Sequence, residues 1–236
     1  MWHELQQLGP LTRQQPIWQD AYATARATMQ RVRVNVEVIY ARLNALGYRF
    51  LRPKYAFLRP APDASQVLEV IEGDIGPLPL SLRAFYEVVG EVDFRQSEEQ
   101  LIKWTHPRRE VASEIELLGE EDPLVVASLK KLGMEVKEIP TKAARLYFCF
   151  APDEFHKAGY SGGENYHVWL PDSSADFRVV GMYGIDEFFV DYLRETLWWG
   201  GFRGKCETLP EDEMRCLKKP PALKVVHMLS KELDAI

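Results

Sequence analysis

From Trp18 onward, apolar residues recur at alternating steps of four and three, through Tyr22, Ala25, Met29, Val32, Val36, Ile39, Leu43 and Leu46. This is a heptad seam sustained for about four repeats. Within it, RVRVNVEV also alternates with period two, as a strand would. The heptad continues on both sides and no turn residues bracket the valines, so the pattern predicts a helix over 16–46, opened by Pro16 and stopped by Gly47. Such a helix is roughly 45 Å long. Two readings of its seam stand side by side. It packs against the C-terminal segment 222–235, where Leu223, Val226, Ser230 and Leu233 recur with similar spacing, or it joins two copies as a homodimer.

The three prolines of 51–64 mark a connector. Ser65 then caps a short helix through Ile71, and Pro79 opens another whose Leu82, Phe85, Tyr86 and Val89 share a face and which Gly90 ends. EVDF follows as a short strand. Residues 95–121 are charged and weakly periodic, and read as loops or irregular helix in an insertion or boundary. Beyond them PLVVASLKKLG predicts a helix, MEVKEI an exposed strand, ARLYFCFAPD a buried strand, and NYHVWLPD and FRVVGMY two more. Helices at both ends around short central strands give an α+β class, with the strands mainly antiparallel.

The last long helix, with Asp186 as its expected cap, leads into LWWGGFRG. At 100° per residue, Phe188, Phe189, Tyr192, Leu193, Thr196 and Trp199 share an inner face, whereas Trp198 falls within about 20° of Glu187 and Asp191, one turn after Arg194. The doublet therefore splits, one ring inward and one outward. Phosphate-binding glycines precede a helix, where the amides and the positive dipole end point at the anion. Gly200, Gly201 and Gly204 follow theirs, so a left-handed C-terminal stop is the plain expectation, with Phe202 folding back. An outward Trp198 beside Phe202 and Arg203, and on the side of Asp191 and Arg194, suits a protein interface, where Trp and Arg are enriched. The alternative is that 205–221 covers it.

With 46% hydrophobic and 27% charged residues, the 236-residue chain has the apolar matter for a core, which excludes disorder over most of its length. It reads as a single domain over 1–236. Cys149, Cys206 and Cys216 are odd in number and form no CxxC pair, so neither a disulfide framework nor a structural zinc site is suggested. No apolar run spans a membrane, and MWHELQQLGP lacks the layout of a secretory signal, so a cytoplasmic protein is expected. The net charge of −6, with no basic stretch interleaved with aromatics, argues against nucleic-acid binding and suits a basic protein partner.

An enzyme reading rests on APDEFHKAGYSGGENYHVWLPD, which gathers Asp153, Glu154, His156, His167 and Asp172. A metal-dependent hydrolase built on Asp153, His156 and His167 is the rival hypothesis. The spacing is that of no metal motif, and His167 alternates with Val168 and Leu170 as a structural histidine does. YSGGE lacks the GxSxG elbow around Ser161, and Cys149 lies in a strand. Lys157 and Glu164 read as solvated charges flanking a loop apex, and Tyr160 and Glu164 join the expected partner-binding residues. No cofactor or metal is expected.

GPLPLSLRAFYEVVGEVDF at 76–94 and the run ending in FFVDYLRETLWWGGF resemble the SMI1/KNR4 superfamily, also called SUKH, over about 32–204. The resemblance implies one α+β domain with a strongly curved mixed sheet, no catalytic residues and a binding role. Many bacterial members of that family are immunity proteins that neutralise a toxin, often a nuclease. Fungal members are interaction hubs in cell-wall signalling. The long N-terminal helix, 95–121 and the tail after Gly204 depart from the family pattern.

Overall fold

The computed structural model describes residues 2–103, 106–139, 145–181, 187–203 and 223–236. Helix α1 (Trp2–Leu8) and a 3-10 turn (Gly9–Arg13) precede α2 (Ile17–Ala45), the long helix that the heptad predicts. Its buried residues, among them Ala21, Ala25, Met29, Val32, Val36, Ile39 and Leu43, form a stripe with no exposure beyond a few per cent. The period-two alternation of its valines is thus overridden by the 3.6-residue one. Residues 51–64 carry a short 3-10 turn and the two-residue strand β1 (Phe57–Leu58), after which come α3 (Ala64–Ile75) and α4 (Leu80–Val88). The first of these helices is one turn longer than expected and has no side-chain cap from Ser65.

The seam of α2 packs inside its own chain, against α4, α8 (Phe189–Trp198) and α9 (Leu223–Ser230), as the first of the two readings of the seam expects. Arg42 donates to the carbonyls of Leu229 and Lys231 at 2.8 and 2.7 Å, placing a cation on the negative end of α9. Val225, Val226 and Leu229 turn into the core.

All strand pairs among the described residues are antiparallel, in four small sheets rather than one broad curved sheet. β1 lies beside β2 (Glu91–Asp93), which lies beside β4 (Val125–Val126). β3 (Asp122–Pro123) pairs with β9 (Phe202–Arg203), β5 (Leu146–Ala151) with β6 (Tyr166–Leu170), and β7 (Arg178–Val179) with β8 (Glu187–Phe188). Single contacts stitch these together: Ala127 N–H donates to the Phe150 carbonyl at 2.7 Å, and His167 bridges Val180.

Two expectations fail between 121 and 139. PLVVA carries the end of β3 at Pro123 and then β4 at Val125–Val126, and the helix α6 begins later, at Leu129, and runs through Lys137 across most of the expected MEVKEI strand. Ser128 caps it by accepting from Lys131 N–H, and Leu132 and Val136, four apart, are its buried positions, so the apparent alternation is one side of a helical pattern. The stretch 95–121 is irregular as expected but not an appendage. It holds a 3-10 turn (Arg109–Val111), α5 (Glu114–Leu117) opened by a Ser113/Glu116 capping box, and a second turn (Leu118–Glu120), with Leu117 and Leu118 both buried. No helix among the described residues is long and apolar enough to cross a membrane.

Candidate functional site

Helix α8 sets the orientation of the tryptophan doublet. Asp186 lies outside the described residues. The amide of Val190 is instead met by Asp176 Oδ2 at 3.2 Å, a cap supplied from fourteen residues away, and Gln6 reaches the same oxygen at 3.4 Å. Burial pushes the Asp176 carboxyl up to about 7, against the pull of its hydrogen bonds to the Val190 amide and Gln6. With its start fixed, α8 turns Phe189, Tyr192, Leu193 and Thr196 fully inward, while Phe188 and Trp199 are half-buried at the margin. Trp198 is 79% exposed.

The helix stops as its glycines dictate. Gly200 and Gly201 have φ of +66° and +89°, and a Cβ on Gly200 would sit 2.6 Å from the Leu229 Cβ, so α9 packs directly on the turn. Beyond the turn the chain departs from expectation. Pairing of β9 with β3 draws Phe202 and Arg203 inward, so neither joins Trp198 on the surface. Phe202 is fully buried with its ring 5.5 Å from that of Tyr48. Arg203 is paired with Glu187 and, at 2.8 Å, with Glu195, its guanidinium over the Tyr192 ring. Two fixed carboxylates hold its charge, and it is a structural cation. Asp191 and Arg194 do lie on the outer side of α8, half-exposed and bonded to each other at 2.7 Å, with Arg194 also donating to the Ile236 carbonyl.

Tyr160 and Glu164 belong to a different region. Tyr160 is half-buried and donates to Glu120 Oε1 at 2.8 Å. Glu164 is exposed and accepts from Tyr147 at 3.0 Å. The structure therefore splits the sequence-nominated residues into two groups, Trp198 with Asp191 and Arg194, and Tyr160 and Glu164 on the loop after α7 (Glu154–Lys157).

The hairpin cluster is also divided. Asp153 caps α7, its Oδ1 taking both the His156 amide and His156 Nδ1 at 2.8 Å, while the His156 side chain stays partly exposed. His167 is buried in β6 with the Tyr147 ring tilted 30° against it at 3.8 Å between centres, and its Nδ1 faces the Asn165 carbonyl at 3.2 Å. Among the described residues no three His, Cys, Asp or Glu side chains converge as a metal site. Cys149 is half-buried and free, while Cys206 and Cys216 lie outside the described residues.

The residue that sequence reasoning misplaced is Lys157, whose side chain is completely buried rather than solvated. Its Nζ lies 2.5 Å from Asp122 Oδ1 and 3.4 Å from the Tyr192 hydroxyl, and Tyr166 donates to the other oxygen, Asp122 Oδ2, at 3.0 Å. Burial pushes the Lys157 amine below its ordinary value, while the neighbouring Asp122 pulls it back. The available signal was the run Glu120–Asp122 immediately before an apolar strand. Glu120 and Asp122 are both buried and both paired, to Arg109 and Tyr160 in one case and to Lys157 and Tyr166 in the other.

No family model, curated protein or solved structure matches the chain.

Proposed function

We propose that this chain is a non-enzymatic protein-binding module of the SMI1/KNR4 type, whose use is to neutralise a toxin such as a nuclease. The observation that carries the reading is Trp198, a large aromatic ring left 79% exposed at the end of a helix whose other aromatics are inside. Stranding such a ring in water forgoes the roughly 1.5–3 kcal/mol that burying a large apolar side chain contributes, and covering it with a partner recovers that. Exposed rings of this size are what interface centres are built from. The Pro79-led helix, the Gly90 stop and the strand Glu91–Asp93 follow the order of the resembling segment. The acidic balance of the chain suits a basic partner, because complementary charge speeds association and buried aromatics slow release.

The test is capture of the tagged chain from its own cells, with bound proteins identified by mass spectrometry, followed by reconstitution with the captured protein alone. A stoichiometric partner whose nuclease or other toxic activity is blocked by the purified chain supports the assignment. A partner that binds equally well after Trp198→Ala removes the site, and no partner at all removes the function.

A further inference from the structure

Lys157 and Asp122 meet in a setting that goes beyond an ion pair. The Lys157 side chain has no exposure and that of Asp122 has 2%, so water is kept from both. Aromatic rings close the space around the amine, with Tyr166 at 4.8 Å and Tyr192 at 5.9 Å from Nζ to ring centre. An amine 2.5 Å from one carboxyl oxygen lies within about 3–3.5 Å of the carboxyl carbon, the separation at which bound groups react. Lys157 leaves a four-residue helix held at its start by Asp153, and Asp122 sits in a strand paired on β9, so both reacting groups are anchored through the backbone.

We propose that Lys157 and Asp122 condense to an intramolecular amide, a covalent staple between α7 and β3. The Nζ lone pair attacks Cγ of Asp122. Oδ2, already accepting from the Tyr166 hydroxyl, carries the developing negative charge and becomes the amide carbonyl oxygen. Oδ1 leaves as water, taking two of the three protons that the ammonium brings, and the third stays on the amide nitrogen. One C–N bond forms and one C–O bond breaks, with no oxidant, metal or external reagent needed.

Burial supplies both the rate and the direction. A desolvated lysine spends more of its time as the free amine, the form that attacks carbon. Orientation in a fixed site is equivalent to very high effective concentration. Two opposite charges held away from water are costly to keep, and the amide replaces them with one neutral group. In water the same condensation is opposed, because both ions are well solvated and water is in excess.

The experiment is mass spectrometry of the full-length chain under denaturing conditions, followed by protease digestion. The expected result is a mass lower than that of the sequence by one water, and a branched peptide joining the pieces that carry Asp122 and Lys157. Lys157→Arg is expected at its full sequence mass. Asp122→Asn reaches the same amide by losing ammonia, so its product is expected at the same mass as the product of the native sequence. A native chain at full sequence mass, yielding the two pieces as separate linear peptides, overturns the proposal. Because the readout is made on denatured protein, a variant that folds poorly is still read.

Discussion

Asn35, in the middle of the long helix, and Asp234, two residues from the C-terminal end, exchange two hydrogen bonds of 2.8 Å each. The Asn35 amide donates to the Asp234 carbonyl, and the Asp234 amide donates to Asn35 Oδ1. One buried side chain thereby does for the tail what a strand partner does for a strand. Asn35→Leu keeps the volume but removes both hydrogen bonds to the exposed Asp234, each worth about 0.5–1.5 kcal/mol net. The expected outcome in urea titration is a loss of roughly 1–3 kcal/mol. Hydrogen exchange is expected to quicken first in α9, which the tail and Arg42 hold down.

Asp176 makes stability depend on pH in a direction opposite to that of a salt-bridged carboxylate. Its carboxyl is raised from an ordinary 3.8 to about 7, so between those values the folded chain holds a proton that the unfolded chain has released. Stability from this group is therefore greatest below pH 4 and falls as pH rises toward 7, by up to about 4 kcal/mol. Asp176→Asn keeps an acceptor for the Val190 amide without the buried charge. It is expected to be the more stable form at pH 8, with the advantage shrinking near pH 4. Equal midpoints at the two pH values would show that Asp176 is not protonated in the fold.

Gly163 is required by a carboxylate rather than by its own backbone angles. A Cβ there would lie 1.5 Å from Asp153 Oδ2, an oxygen that is buried and without a hydrogen-bond partner. Gly163→Ala is expected to push Asp153 out of its capping position and to cost roughly 1–3 kcal/mol, and Asp153→Ala alone about 1–2 kcal/mol. The two changes act on the same contact, so the double variant is expected to be clearly less destabilised than the sum. A double-mutant cycle in urea measures the difference.

The elements that were legible in the sequence are those where one periodicity dominates over many residues. The 29 residues of α2 carry a 3.6-residue pattern long enough to outvote the four alternating valines within it. Trp198 was placed outward from helix angle alone, because the angular position of a residue on α8 depends on the helix and not on its neighbours. Two-residue strands such as β3 and β9 offer no period to read, yet their pairing is what pulls Phe202 and Arg203 inside. Lys157 was missed for the same reason. Its carboxylate partner is 35 residues away in one of those short strands, and a lysine beside a glycine loop reads as solvated unless that partner is known.

Trp198 and Phe202 stand four residues apart and test two different links of the argument. Phe202 is fully buried against Tyr48, so Phe202→Ala is expected to cost about 3–5 kcal/mol, with any loss of partner binding following the loss of fold. Trp198→Ala removes an exposed ring and is expected to change stability by less than about 0.5 kcal/mol. If Trp198 anchors an interface, the same change weakens partner binding by about 2 kcal/mol or more, near thirtyfold, chiefly through faster dissociation. Thermal unfolding together with surface-plasmon kinetics on the captured partner separates the two effects. A Trp198→Ala chain that is markedly destabilised would mean that the ring is covered by its own chain, and the docking surface would have to be sought elsewhere.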